Sequence, residues 1–131
     1  MNKFFFASIC SCLSFCAFAQ IKSVSVEEFK KQLIATKSEQ LIDIRTHHEF
    51  EEHRISGAKH IDFRSPEFRK KIEALDKNKP VLIYCLRSVR TMAALEIFRE
   101  AGFKTVFELQ GGIIAWVMEG EPVETWSPKS D

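Results

Sequence analysis

Cysteine is scarce where it would matter for folding. Four cysteines occur in the 131-residue chain, but Cys10, Cys12 and Cys16 all fall in the first nineteen residues, leaving Cys85 alone beyond them. A single thiol cannot close an internal disulfide, so the main part of the chain is not a disulfide-stapled scaffold. An excess of either charge is also missing. Nineteen Lys and Arg face eighteen Asp and Glu, a formal net charge of +1, which gives no electrostatic basis for binding nucleic acid or a membrane surface. The one long apolar stretch, at the N-terminus, is shorter than the ~20 residues of a membrane span, and no second one follows. Repeats, low-complexity segments and internal linkers are absent as well, so one domain is expected.

The N-terminal stretch has its own grammar. Lys3 precedes Phe4-Phe5-Phe6-Ala7-Ser8-Ile9, the apolar character runs on to Phe15, and Ala17-Phe18-Ala19 closes it with small residues at the ends. That order is a secretory signal peptide over residues 1–19, cleaved after Ala19. It predicts an exported protein, periplasmic or secreted, whose single domain spans residues 20–131. Leu13-Ser14-Phe15-Cys16 is similar to a lipobox, but bulky Phe15 stands where a small residue is wanted, so lipoprotein anchoring is the lesser alternative. Loss of Lys3 would leave eighteen cations against eighteen anions.

The rest of the chain alternates helical and extended signals. Ser25-Val26-Glu27-Glu28 is a capping box that opens a helix with Val26, Phe29, Leu33 and Ile34 on one face. Residues 40–45 read as a buried strand interrupted by Asp43. Thr46-His47-His48-Glu49 is a second capping box, starting a short helix to about His53. A turn at Gly57-Ala58 leads to an extended piece around His60-Ile61-Asp62. Ser65-Pro66-Glu67 then offers an N-cap, a first-turn proline and an early acid for a helix to about Leu75. Val81 to Cys85 is the central strand. The longest helix should follow from Ser88 or Val89 to Ala101, with Val89, Met92, Ala93, Leu95, Ile97 and Phe98 as its apolar face and Gly102 ending it. Thr105 to Leu109 reads as a further strand, Gly111-Gly112 as a tight turn, and Ile113 to Met118 as a closing helix. This alternation predicts an α/β fold, a largely parallel central sheet with right-handed crossovers and helices on both faces.

In such sheets ligands bind at the carboxyl ends of the strands, which is where Cys85 stands. The turn behind it, Leu86-Arg87-Ser88-Val89-Arg90, leads straight into a helix. Converging amides and first-turn N–H groups stabilise an anion there. A thiolate is such an anion, and Arg87 and Arg90 favour it over the thiol form, whose free pKa is ~8.5. Cations at a helix start oppose the dipole, so an anionic nucleophile or substrate is expected to compensate them.

Five pieces stand in one register: Asp43-Ile44-Arg45; Glu49-Phe50; Ile55-Ser56-Gly57-Ala58; Val81 to Arg90; and Gly111-Gly112-Ile113-Ile114-Ala115-Trp116. In that order they resemble single-domain rhodaneses across essentially the whole expected mature chain. The resemblance implies sulfurtransfer without a metal or organic cofactor. Cys85 would take a sulfane sulfur from a small donor such as thiosulfate, hold it as a persulfide, and pass it to a thiol or other nucleophile. It implies that Leu86, Arg87, Ser88, Val89 and Arg90 form the cradle for the outer sulfur. Arg87 would sit where some members bind anionic donors, and Arg90 would order the loop or bind the anion. Asp43 and Arg45 would support the surroundings, by pairing with each other or with loop groups, or would be purely structural. Three positions depart from the family pattern. Ser88 stands in the glycine place of Cys-x-x-Gly-x-Arg, where a positive φ would cost serine on the order of 1 kcal/mol. Arg54 replaces a histidine and His60 an asparagine, so donor preference is open while the fold is not.

Two other functions fit parts of the pattern. Cysteine-dependent phosphatases of the same fold place five residues between cysteine and arginine, whereas Cys85 and Arg90 enclose four. A non-catalytic binding or sulfur-carrier module is the other alternative. His47, His48 and His53 lie near carboxylates on one short helix and read as a solvated polar face rather than a metal site. Trp116 is expected to pack the last helix against the sheet, and Trp126 to cover an edge.

Overall fold

The computed structural model describes residues 18–125. Nearly all of the expected leader, with Cys10, Cys12 and Cys16, and the expected edge residue Trp126 lie outside the described residues. The chain builds β1 (Gln20–Val24), α1 (Val26–Ala35), β2 (Leu41–Asp43), α2 (His47–Glu52), β3 (His53–Arg54) and β4 (Lys59–His60). It continues through α3 (Phe68–Ile72), β5 (Val81–Tyr84), α4 (Val89–Glu100), β6 (Thr105–Leu109), α5 (Gly112–Met118) and β7 (Glu124–Thr125). Five strands form one sheet in the order β1-β6-β5-β2-β4, and every pairing within it is parallel. This is the α/β architecture expected from the sequence, with β5 in the middle.

The period of two along the strands divides the core. Ile42, Ile83, Cys85 and Val106 face Phe68 and Ile72 of α3 and Ala94, Leu95 and Phe98 of α4. Leu41, Leu82, Tyr84, Phe107 and Leu109 face Phe29 and Leu33 of α1 and Ile113 and Trp116 of α5. Trp116 thus packs the last helix as expected, and its indole N–H donates to the Pro122 carbonyl at 2.8 Å.

Several local expectations change. The first strand, β1, was not anticipated: its exposure pattern leaves only Val24 buried, too polar a run to read as a strand, and the long-range pairing with β6 creates it. β3 and β7 form a separate antiparallel pair, so His53 begins a strand rather than ending a helix. The strand expected over residues 40–45 is limited to Leu41–Asp43. Ile34 is 72% exposed, because at 100° per residue it falls well off the stripe of Val26, Phe29 and Leu33. In α4 the buried stripe is Thr91, Ala94, Leu95 and Phe98, an i, i+3, i+4, i+7 set. Val89, Met92 and Ala93 therefore point outward. α3 is also shorter than expected. Ser65 accepts from the Glu67 amide in a turn and does not cap the helix, which starts only at Phe68.

The two capping boxes differ. Thr46 and Glu49 cap each other reciprocally at the start of α2. At α1 Ser25 accepts from the Glu28 amide, while the Glu28 carboxylate accepts instead from the Gln32 side chain one turn on.

Candidate active site

Cys85 follows β5 directly, at the carboxyl end of the central strand. It is the free cysteine among the described residues and is 1% exposed. Three neighbours fix the loop behind it. From α5, the Ile113 and Ile114 amides donate to the Cys85 and Leu86 carbonyls at 2.9 and 3.3 Å. That close approach explains Gly112, whose φ is +64°: a Cβ there would lie 2.3 Å from the Leu86 oxygen and 2.6 Å from the Cys85 oxygen. The pair read from sequence as a tight turn is in fact the seat of the nucleophile loop.

Ser88 is the second anchor, and its φ is +75°. The positive φ that a glycine would adopt freely is imposed here on serine. Its hydroxyl is used fully in exchange. Oγ accepts from the Gly111 amide at 2.7 Å and has the Leu109 carbonyl at 3.1 Å and the Glu108 carboxylate at 3.2 Å for its proton. Ser88→Gly should therefore be close to neutral in stability, since relief of about 1 kcal/mol of backbone strain offsets the lost bonds. Ser88→Ala keeps the strain and loses the bonds, and should cost about 1–3 kcal/mol. Urea unfolding of both variants separates the two contributions.

The third anchor is Arg90. Its guanidinium donates to both Glu49 oxygens, at 2.7 and 2.9 Å, tying the start of α4 to α2. From sequence the nucleophile or substrate is expected to compensate this cation, but Glu49 does so. Arg87 is exposed and makes no hydrogen bond or ion pair among the described residues. Leu86 packs on the α5 side of the core, and Val89 faces solvent.

Hydrogen bonding to Arg90, with further help from Thr46 against the cost of burial, holds the Glu49 carboxyl at about 2. Because the folded value is depressed, the stabilisation is complete above the ordinary carboxylate range and fades as pH falls towards 2. Glu49→Gln should therefore unfold at lower urea than wild type at pH 6, and the gap should close as the solution is acidified. A gap independent of pH would show that the ion pair is not its source.

Asp43 and Arg45 do pair with each other. Both are essentially inaccessible, at 0% and 1% exposure, with Arg45 Nη2 2.7 Å from Asp43 Oδ2. Arg45 also donates to the His53 carbonyl where α2 ends, so the pair fixes the layer next to the loop rather than the loop itself. Below it, Tyr84 accepts from the Ile55 amide, and burial followed by the nearby Asp43 carboxylate pushes its hydroxyl pKa up. The other departures from the family pattern have local uses. His60 bonds the Arg45 carbonyl at 2.7 Å and stacks on Phe50, and Arg54 lies over the Phe50 ring at 4.5 Å. His47 and His48 pair with Glu51 and Glu52 on an exposed surface.

Two residues of this neighbourhood escaped the sequence reading. Thr91 is fully buried, with Oγ1 3.5 Å from Cys85 Sγ. Glu108, also fully buried, accepts from Thr91 at 2.7 Å. The available signal was the position of Glu108 within Val106-Phe107-Glu108-Leu109, where strand alternation puts a carboxylate on the same core face as Val106.

Comparison with known proteins is consistent across the domain. Residues 25–119 match the family described as rhodanese-like domain. YtwF of Bacillus subtilis, whose own description as a sulfurtransferase is provisional, is 36% identical over 103 residues, 79% of this chain and 97% of that protein. GlpE of Coxiella burnetii, named thiosulfate sulfurtransferase, is 31% identical over 85 residues, 65% of this chain and 78% of that protein. Among solved structures, a rhodanese-related protein from Thermoplasma volcanium superimposes with a TM-score of 0.69 at 25% identity, covering 79% of this chain and 97% of that one. A rhodanese-like domain protein from Staphylococcus aureus gives 0.67 at 28% identity, covering 81% and 99%.

Proposed function

This chain belongs to the rhodanese-like domain family, and we propose that it is a sulfurtransferase in which Cys85 carries the sulfur as a persulfide. The observation that carries this reading is the free thiol of Cys85 at the carboxyl end of the central parallel strand, inside a loop fixed by Gly112, Ser88 and Arg90. The Cys85 thiolate attacks the outer sulfur of a donor such as thiosulfate. The sulfur–sulfur bond of the donor breaks, and sulfite leaves with the electron pair. An acceptor thiolate then attacks the outer sulfur of the persulfide and departs as a new persulfide, returning Cys85 as thiolate. No electrons are gained or lost overall, and the exchange needs neither metal nor organic cofactor. Arg87, exposed and without an ion pair among the described residues, is a cation of the loop available to an anionic donor. The name of the Coxiella relative supports thiosulfate as the first donor to try.

Intact-mass measurement after incubation with thiosulfate or a polysulfide tests the reading. A gain of one sulfur atom, reversed by a thiol acceptor, is the expected result. No gain with several donors would favour a non-catalytic binding or carrier module. The four-residue gap between Cys85 and Arg90 argues against phosphatase chemistry, and turnover of p-nitrophenyl phosphate that depended on Cys85 would reinstate it. The leader-like composition of residues 1–19 supports an exported protein. N-terminal sequencing of the native protein should then begin at Gln20, and an intact Met1 would contradict export by cleavage.

A further inference from the structure

We propose that Glu108 takes the proton of Cys85 through the Thr91 hydroxyl, so that the thiolate forms inside the protein beside a neutralised carboxyl group. The inference rests on the reading of Cys85 as the nucleophile. Glu108 is 0% exposed, and among the described residues only hydroxyl groups meet its carboxylate: Ser23 on one oxygen, Thr91 at 2.7 Å on the other, and Ser88 at 3.2 Å. Among the described residues no Lys, Arg or His forms an ion pair with it. A buried carboxylate compensated by neutral groups alone is costly, and accepting a proton removes that cost.

Among the described residues Thr91 is the bridge between the acid and the sulfur. Its single proton has two acceptors, the Glu108 carboxylate at 2.7 Å and the Ser88 carbonyl at 3.1 Å. When it points to the nearer one, a lone pair of Oγ1 faces Cys85 Sγ at 3.5 Å and can accept the thiol proton. Transfer then runs in one direction. The S–H bond breaks, Thr91 Oγ1 gains that proton, and the proton Thr91 held passes to Glu108 Oε2. Cys85 keeps the electron pair and now accepts a hydrogen bond from Thr91. One proton has moved from sulfur to oxygen, nothing is oxidised, and two adjacent buried anions are avoided.

The other neighbours leave this pair to itself. Across the sheet Glu108 lies beside Ser23 on β1 and Ile83 on β5. The inward residues of α4 next to Thr91 are Ala94 and Leu95, and the start of α5 contributes its N-cap Gly111 and its first residue Gly112. Arg90 is the charged group that feels Cys85, and it is held by Glu49. Arg87 is exposed. Glu108 therefore acts as a positioning residue and proton store, and Thr91 as its link to the reacting sulfur.

The test is the rate of Cys85 alkylation by iodoacetamide as a function of pH, which needs no sulfur donor. Two groups sharing one proton titrate as a pair. In wild type the rate should fall much less steeply than tenfold per pH unit on the acid side, because a fraction of thiolate persists until the pair takes up its second proton. Glu108→Gln keeps the shape of the side chain but cannot take the proton, and should show the full tenfold fall per pH unit of a single ionisation. Thr91→Val leaves Glu108 in place, removes the hydroxyl that bonds both the thiolate and the carboxyl group, and should move the fall in rate to higher pH. A wild-type rate that falls tenfold per pH unit from the ordinary thiol range downwards, with no plateau on the acid side, overturns the proposal and requires no variant to fold. So does a Glu108→Gln protein that is more reactive in acid than wild type, which would make Glu108 a charge that merely repels the thiolate. Variants that melt earlier but keep the wild-type slope also overturn it, by reducing the network to a structural role. Failure of sulfur loading with the shallow slope intact would instead remove the transfer reading and leave the relay standing.

Discussion

Cys85→Ser is expected to fold normally and to transfer sulfur more slowly than wild type by on the order of 10⁴-fold or more, within the range that deletion of a nucleophile reaches. Serine fits the same site, since Cys85 is 1% exposed and its Sγ already lies 3.5 Å from a hydroxyl, that of Thr91. The smaller oxygen leaves little void and finds a hydrogen-bond partner. Chemistry is what fails. A serine hydroxyl keeps its proton at neutral pH, and oxygen cannot form the sulfur–sulfur bond that stores the transferred atom. The measurement is sulfite release from thiosulfate with a thiol acceptor, run beside thermal unfolding. Turnover retained in a folded Cys85→Ser protein would remove Cys85 from the mechanism.

Asp43→Ala carries the largest expected loss of stability, about 3–5 kcal/mol, the cost of leaving a buried charge without its partner. Arg45 is 1% exposed, and Asp43 accepts from its Nε, its Nη2 and its backbone amide. With the carboxylate gone, the guanidinium retains only the His53 carbonyl. Domains of this kind are stable by roughly 5–15 kcal/mol, so the variant should lose much of its folded margin. Removing both charges together, as Asp43→Leu with Arg45→Met, should recover a good part of the loss, because no unpaired ion is left. Urea midpoints of the two proteins decide the matter. A double variant no better than Asp43→Ala would mean that the pair's hydrogen bonds, not its charges, hold α2 to the sheet.

The parts of the molecule visible in the sequence were those that repeat locally. Leu41-Ile42, Val81 to Tyr84 and Val106 to Leu109 are apolar runs short enough to be buried strands, and the helices between them carry caps or periodic stripes, so the parallel sheet and the strand-end position of Cys85 could be read directly. Thr46 and Glu49 announced their capping box in the same way. What stayed hidden depends on residues far apart in the chain. Glu49 looked complete as a cap, and its bond to Arg90 spans forty-one positions. Ser88 was recognised as out of place, but its repair by the Gly111 amide belongs to a loop twenty-three positions later. Glu108 and Thr91 meet only because α4 packs against β6. Outward-facing Val89 and Met92 were misplaced for the opposite reason: hydrophobicity alone does not say which of several possible helical stripes the fold will bury.

The strand order carries one further consequence, for the way the chain folds. β1 has a single neighbour in the sheet, β6, with Gln20 opposite Thr105 and Val24 opposite Leu109. β1 therefore waits, in any order of folding, for the last strand of its own sheet. The β1 edge cannot close until the chain through Leu109 is available, and a pairing between strands so far apart in sequence is slow to form.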